Sequence, residues 1–140
     1  MTPFLKSLTK RPCFTVRANS SVSNVIEELS QHNIGAVVVI SEENAVDGII
    51  SERDIVRHLA KSKSIDGLIA SDIMTKDVVT VMPSVSSSEF MQIMTENKFR
   101  HLPITSKGEL VGVVSIGDVV KRMLEKYEAE AEQMRSFINA

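Results

Sequence analysis

The chain has one cysteine, no tryptophan, one tyrosine, four prolines and six glycines in 140 residues. A single thiol, Cys13, excludes an internal disulfide and a thiolate metal cluster, and it fits a reducing compartment, the cytoplasm. So few prolines and glycines, in a chain that is 43% hydrophobic and 24% charged, leave no room for a long disordered tract. Charge of one sign is also lacking. A formal net charge of −2 argues against nucleic acid as a partner, because binding a phosphate backbone needs a dense basic surface. The longest apolar run, "IGAVVVI" at 34–40, is far below the roughly 18 residues of a membrane helix, so it predicts a buried strand and no membrane partner. No group of His, Cys, Asp and Glu has metal-ligand spacing, and no Gly-x-Ser-x-Gly elbow surrounds a serine. Neither a metal, a catalytic cofactor nor an enzyme is expected.

Acids are missing from residues 1–26, which carry Lys6, Lys10, Arg11 and Arg17 among many Ser and Thr. That composition superficially fits an organelle transit peptide. The preferred reading is that "CFTV" at 13–16 is a first strand, so that cleavage would remove core.

The feature that is present is a repeat. "GIISERDIV" runs from Gly48 to Val56 and "GVVSIGDVV" from Gly112 to Val120. At a constant offset of 64, residues 33–60 and 97–124 share six identities in 28 positions, Asn33/Asn97, Ile40/Ile104, Gly48/Gly112, Ser51/Ser115, Asp54/Asp118 and Val56/Val120. A repeat this regular means two copies of one unit, neither able to bury its faces alone.

Each copy predicts the order strand, helix, strand, strand, helix. The first strands are "CFTV" and "VVTV" (78–81), and the first helices carry Val22, Val25, Ile26 and Leu29, or Val85, Phe90, Ile93 and Met94. The paired strands are "AVVVI" with "DGII" and "HLPI" with "VGVV", and the second helices begin at Ser51 and Ser115. The fold class is therefore α/β, with mixed sheets covered by helices. The expected division is repeat one at 1–70, repeat two at 71–125 and a helical extension at 126–140. "SDIM" at 71–74 predicts a short helical turn entering repeat two. In the extension, Leu124, Tyr127, Ala131, Met134 and Ile138 form a seam at spacings of 3 and 4, suited either to docking on the body or to self-association.

Ser51-x-x-Asp54 and Ser115-x-x-Asp118 have two readings. One is a helix-capping box, worth about 1 kcal/mol each. The other is a binding site: a helix N-terminus suits phosphate, a carboxylate can accept from both hydroxyls of a ribose, and flanking aliphatic strands can hold a base. The recurrence of the pattern favours the second. So does Gly117 in a first helical turn, where glycine costs stability unless another molecule must approach the backbone.

With "NIGAVVVI", "GIISERDIVRHLA", "SDIMTKDVVTV", "RHLPI" and "GVVSIGDVVKRML", the chain resembles a cystathionine-beta-synthase (CBS) domain pair, or Bateman module, of the small bacterial kind, over roughly residues 10–125. The resemblance implies two tandem CBS motifs packed with pseudo-two-fold symmetry, and clefts for adenine ligands such as AMP, ADP, ATP, NAD(H) or S-adenosylmethionine. It implies a ligand-sensing regulatory module, commonly a homodimer, with a regulated protein partner. It also implies that Asp54 and Asp118 hold the ribose diol, with Ser51 and Ser115 near ribose and phosphate. Thr15, Val16, Thr80 and Val81 of the first strands, and Arg100, His101, Leu102 and Pro103, would complete the pockets. By the same analogy the cations of Arg100 and His101 belong at the cleft marked by Asp54. Arg53 in copy one stands against Ile116 and Gly117 in copy two, so the clefts should differ in ligand or occupancy. The rival is an adaptor whose Ser-x-x-Asp motifs are only caps. His32 and His58 are expected at helix surfaces, and His101 either in a site or as a half-buried strand residue.

Overall fold

The computed structural model describes residues 3–139. Its first half contains α1 (Pro3–Thr9), β1 (Thr15–Val16), α2 (Val22–His32), β2 (Ala36–Ile40), β3 (Val46–Ser51) and α3 (Glu52–Ser62). The second contains α4 (Ala70–Ile73), α5 (Ser87–Asn97), β4 (His101–Ser106), β5 (Glu109–Ser115) and α6 (Ile116–Ile138). The fold is mixed α/β. One sheet has the order β1-β2-β3, with β1 parallel and β3 antiparallel to β2. The other is the antiparallel pair β4-β5. The two repeats thus fold alike, as the offset of 64 requires.

The expected first strands are shorter than their patterns. Only Thr15 and Val16 of "CFTV" pair with β2, and "VVTV" is reduced to a single parallel bridge from Val81 to Ile104. Pro103 gives the physical reason in the second copy. Val81 N–H donates to the Pro103 carbonyl at 3.0 Å, and Thr105 N–H donates to the Val81 carbonyl at 2.8 Å. The next rung would need an N–H on Pro103 aimed at Val79, and proline has none.

The helices pack by their apolar faces. In α2, Val22, Val25 and Leu29 are buried, and Ser21 accepts from Asn24 N–H to cap the start. In α5, Phe90 and Met94 are buried; Val85 precedes the helix, which starts at Ser87 after the Ser86 cap. Two cores result. One gathers Val16, Val25, Leu29, Val37, Val39, Ile50 and Ile55 with Ala70 of α4. The other gathers Val81, Phe90, Met94, Leu102, Ile104, Val114 and Val119 with Phe4, Leu5 and Leu8 of α1.

Each half therefore borrows a helix from outside itself. The short helix leading into repeat two, α4, lies against α3 and β3 of repeat one, while the helix leading into repeat one, α1, lies against β5 of repeat two. Leu5 is completely buried there, and Phe4 meets Phe90 edge-on with ring centroids 5.8 Å apart. The sequence reading expected α4 but not α1. The sheet turns also meet: Leu110 N–H donates to the Asn44 carbonyl at 3.0 Å, and the Asn44 side-chain amide donates to the Leu110 carbonyl at 3.1 Å. Gly48 is required by this packing, because a Cβ would lie 2.6 Å from Met74 Sδ and 2.9 Å from the Thr75 carbonyl oxygen.

α6 runs for 23 residues, about 35 Å, and its last partly buried apolar contact is Met123. Beyond it the expected seam stands in solvent: Leu124 is 56% exposed, Tyr127 57%, Met134 65% and Ile138 74%. Docking of this seam on the body, one of the two expectations, is therefore corrected.

Candidate functional site

Both Ser-x-x-Asp motifs form complete capping boxes. Asp54 N–H donates to Ser51 Oγ at 3.3 Å, and Ser51 N–H donates to Asp54 Oδ2 at 2.8 Å. In the second copy the distances are 3.2 and 2.8 Å. In each, the serine hydroxyl also donates to Oδ2 at 3.0 Å. The cap uses one carboxylate oxygen only. Oδ1 is left for another partner, so a cap and a ligand clamp are compatible in one aspartate.

That second oxygen is where the copies part. Asp54 Oδ1 has Arg57 of its own helix at 3.5 Å, a loose pair. Asp118 Oδ1 accepts from Arg11 Nη1 at 2.8 Å, and Oδ2 accepts from Arg11 Nη2 at 2.6 Å, a two-point guanidinium–carboxylate pair. Arg11 Nη2 also donates to the Val113 carbonyl at 2.8 Å. At the repeat offset the counterpart of Arg11 is Thr75, whose backbone pairs with Ile49 of β3. Arg11 thus occupies the same place on β5 through its side chain.

The electrostatics follow the geometry. Burial pushes the Asp118 carboxyl up, but hydrogen bonds from Arg11 and Ser115 outweigh it, and the net direction is down. The Asp118 carboxylate raises Arg11 above its ordinary value. Burial pushes the Cys13 thiol up, against the opposing charge of Arg11.

Arg11 separates two hollows. A cavity of about 390 Å³ lies between the repeats, lined by Leu8, Phe14, Ile34 and Ala36 on its apolar side and by His101 and Ser115 opposite. That volume lies in the range of small-molecule sites. Phe14 stacks on His32, ring centroids 3.5 Å apart and 8° from parallel, so the wall it forms is backed. On the other side of Arg11 a hollow of about 430 Å³ is lined by Asp118, Lys121, Arg122 and Glu125, with Ser7 and Leu8. Gly35 opens the cavity toward His101, whose ring atoms lie 3.4 Å from where a Cβ would be.

Several expected site residues stand here: Ser115 and His101 line the cavity, Asp118 lines the neighbouring hollow and holds Arg11 between the two, and Ile116 and Gly117 are exposed at the start of α6. A Cβ at Gly117 would meet only Ser115 Oγ, at 3.6 Å. His101 is held below its ordinary value by burial, opposed first by the charge of Asp118 and then by Glu52. His101 pairs with Ser115 across β4-β5 and lines the cavity between the repeats, facing Gly35 of the first.

Others stand elsewhere. Val16, Val81 and Leu102 have their side chains buried in the two cores. Pro103 is buried, Thr15 half-buried, and Thr80, Arg53 and Arg100 exposed. The Arg100 carbonyl accepts from Ile116 N–H at 2.8 Å, as Gly35 accepts from Glu52. Sequence reasoning missed Arg11, Phe14 and Gly35. The available signal was the counterpart of Arg11 at Thr75, the residue that follows the helical turn expected at 71–74.

Among the described residues no cluster of His, Cys, Asp or Glu could hold a metal ion, and no helix is long and apolar enough to cross a membrane.

Two capped carboxylates at matching points of a tandem α/β repeat, beside a cleft between the halves, define a paired module. The chain belongs to the CBS-domain family, with one CBS domain at residues 5–61 and a second at 70–125. It is similar to a CBS-domain-containing protein of Agrobacterium tumefaciens, at 38% identity over 81% of this chain and 90% of that one, with a TM-score of 0.76. The mitochondrial CBS-domain-containing protein CBSX3 of Arabidopsis thaliana is 34% identical over 125 residues, 86% of this chain. The chain spans 61% of that relative's length. A solved structure of CBSX2 from the same plant, in complex with AMP, matches at 27% identity over 82% of this chain and 90% of that one, with a TM-score of 0.71.

Proposed function

We propose that this chain is a regulatory sensor that binds an adenine nucleotide, AMP first among AMP, ADP, ATP and NAD(H), between its two CBS domains. The observation that carries the reading is the pair of carboxylates whose caps consume only one oxygen, one of them bonded to Ser115 and Arg11, which line the 390 Å³ cavity. A ribose diol would donate to Asp118 Oδ1, and the base would lie among Phe14, Ile34 and Ala36. Asp54 and Ser51 would form the second, unequal clamp. AMP in the structure of the relative CBSX2 supports the ligand class.

On this reading the module performs no catalysis and works in the cytoplasm, reporting nucleotide level to a protein partner through a change of shape or association. Binding shifts such an equilibrium only by its differential affinity for the two states. The exposed aliphatic residues Val56, Leu59, Val120 and Leu124 on α3 and α6 suit a homodimer.

A specific observation favours the adaptor reading: each capping box is complete without a ligand, and Asp118 already holds Arg11. A thermal-shift panel with AMP, ADP, ATP, NAD, NADH and S-adenosylmethionine, with GMP as control, separates the two. A ligand at 100 times its dissociation constant adds about 2.7 kcal/mol of stability, several degrees for a chain of this size. An adenine-selective shift lost in Asp118→Asn or Asp54→Asn supports the sensor; no shift, in protein free of carried-over nucleotide, leaves the adaptor.

A further inference from the structure

Arg11 lies between two hollows that differ in chemistry. The inner one is largely apolar. The outer one brings Arg11, Lys121 and Arg122 together with the carboxylates of Asp118 and Glu125. The guanidinium now satisfies both oxygens of Asp118, the carboxylate to which the proposed function assigns the ribose diol. A diol seated on those oxygens competes with the two-point guanidinium for them. Arg11 is 46% exposed, so it has room to turn outward, whereas the Asp118 side chain is 17% exposed and held by its cap.

We propose that Arg11 is an exchangeable gate on the Asp118 clamp and that its released guanidinium, with Lys121 and Arg122, forms the phosphate subsite of that cleft. The inference rests on the sensor reading and extends it: the cleft selects phosphorylated adenosine over adenosine. Adenosine must displace Arg11 from its carboxylate and brings no anion of its own for the guanidinium. A nucleotide displaces it and supplies, in its phosphate, a replacement anion. The device is specific to the second clamp. Thr75, the counterpart of Arg11, carries no charge, and Asp54 holds only the loose pair with Arg57.

The position of Arg11 fits a gate. Two residues earlier α1 ends at Thr9, anchored by the buried Leu5 and Leu8, so the arginine can swing while its helix stays on the core. Pro12 follows immediately and stiffens the exit.

Isothermal titration of the full chain with adenosine, AMP and ATP tests this. The wild type should bind AMP and ATP more tightly than adenosine. Arg11→Gln should raise adenosine affinity about two- to fivefold, the worth of a partly exposed ion pair. It should lower the ratio of ATP to adenosine affinity about tenfold or more, the worth of a charged hydrogen bond. The exposed double variant Lys121→Gln/Arg122→Gln should lower the same ratio and leave adenosine unchanged. If Asp118→Asn abolishes binding while Arg11→Gln alters neither adenosine affinity nor the ratio, the gate is wrong and the sensor reading stands. If Asp118→Asn has no effect, the gate falls and the sensor reading rests on Asp54 alone; if the wild type binds none of the three, both fall.

Discussion

Arg11 and Asp118, 107 positions apart, are joined by two hydrogen bonds of 2.8 and 2.6 Å, and this pair ties the segment before repeat one to the last helix of repeat two. The apolar packing of α1 against β5 holds the same end of the chain on repeat two.

The pair makes stability depend on acidity. Asp118 is held below its ordinary value of 3.8, so its contribution is present above that value and is lost as pH falls through the lower folded value. Urea midpoints measured from pH 6 to pH 2.5 should fall more steeply in the wild type than in Asp118→Asn. Parallel curves would mean that the carboxylate gains nothing from Arg11.

His101 acts at milder pH. Burial holds it below its ordinary value of 6.5, so the folded state prefers the neutral ring. Its contribution is fully present above 6.5 and declines as pH falls below it, because the unfolded chain takes up the proton first. The melting temperature of the wild type should drop between pH 7.5 and 5.5, and the drop should shrink in His101→Gln. The charges acting on the ring from neighbouring elements, Asp118, Glu52 and Arg100, are unchanged in that variant.

α1 belongs to the second core. Leu5→Ala should destabilise the chain by about 2–4 kcal/mol, the cost of a fully buried leucine, read from chemical denaturation. A loss below about 0.5 kcal/mol would be that of a surface site and would detach α1 from the core.

Two glycines should respond oppositely to alanine. Gly48→Ala drives a Cβ into Met74 and the Thr75 carbonyl, and should cost about 1–3 kcal/mol. Gly117→Ala meets only Ser115 Oγ, at an ordinary contact distance of 3.6 Å, and should stabilise by up to about 1 kcal/mol. If a ligand closes on that backbone, the same substitution should weaken nucleotide binding in titration.

The tail of α6 should matter for association and not for folding. Phe137, 82% exposed, and Ile138 can be replaced by serine with a stability change within about 0.5 kcal/mol. Sedimentation velocity should show weaker self-association in Leu124→Ser/Tyr127→Ser than in the wild type. Equal sedimentation would place the contact away from this seam.

The sequence by itself determined the repeat, its strand and helix order and the two Ser-x-x-Asp caps. These depend on residues close in the chain: alternation and helical spacing follow from backbone geometry, and a cap joins residues three apart. The absence of a membrane-length apolar run was equally legible.

Tertiary structure decided the rest. Pro103 shortened the second sheet by withholding one N–H from a neighbour 24 positions earlier in the chain, and that consequence exists only once the strands are aligned. Val16, Val81 and Leu102 went to the core because strand register, which sets the facing of a side chain, is settled between strands and not within one. Arg11 met Asp118 because α1 crosses to the other repeat. A short helix with three apolar residues has no local mark of which surface it will cover; the exposed face of the second core selected it.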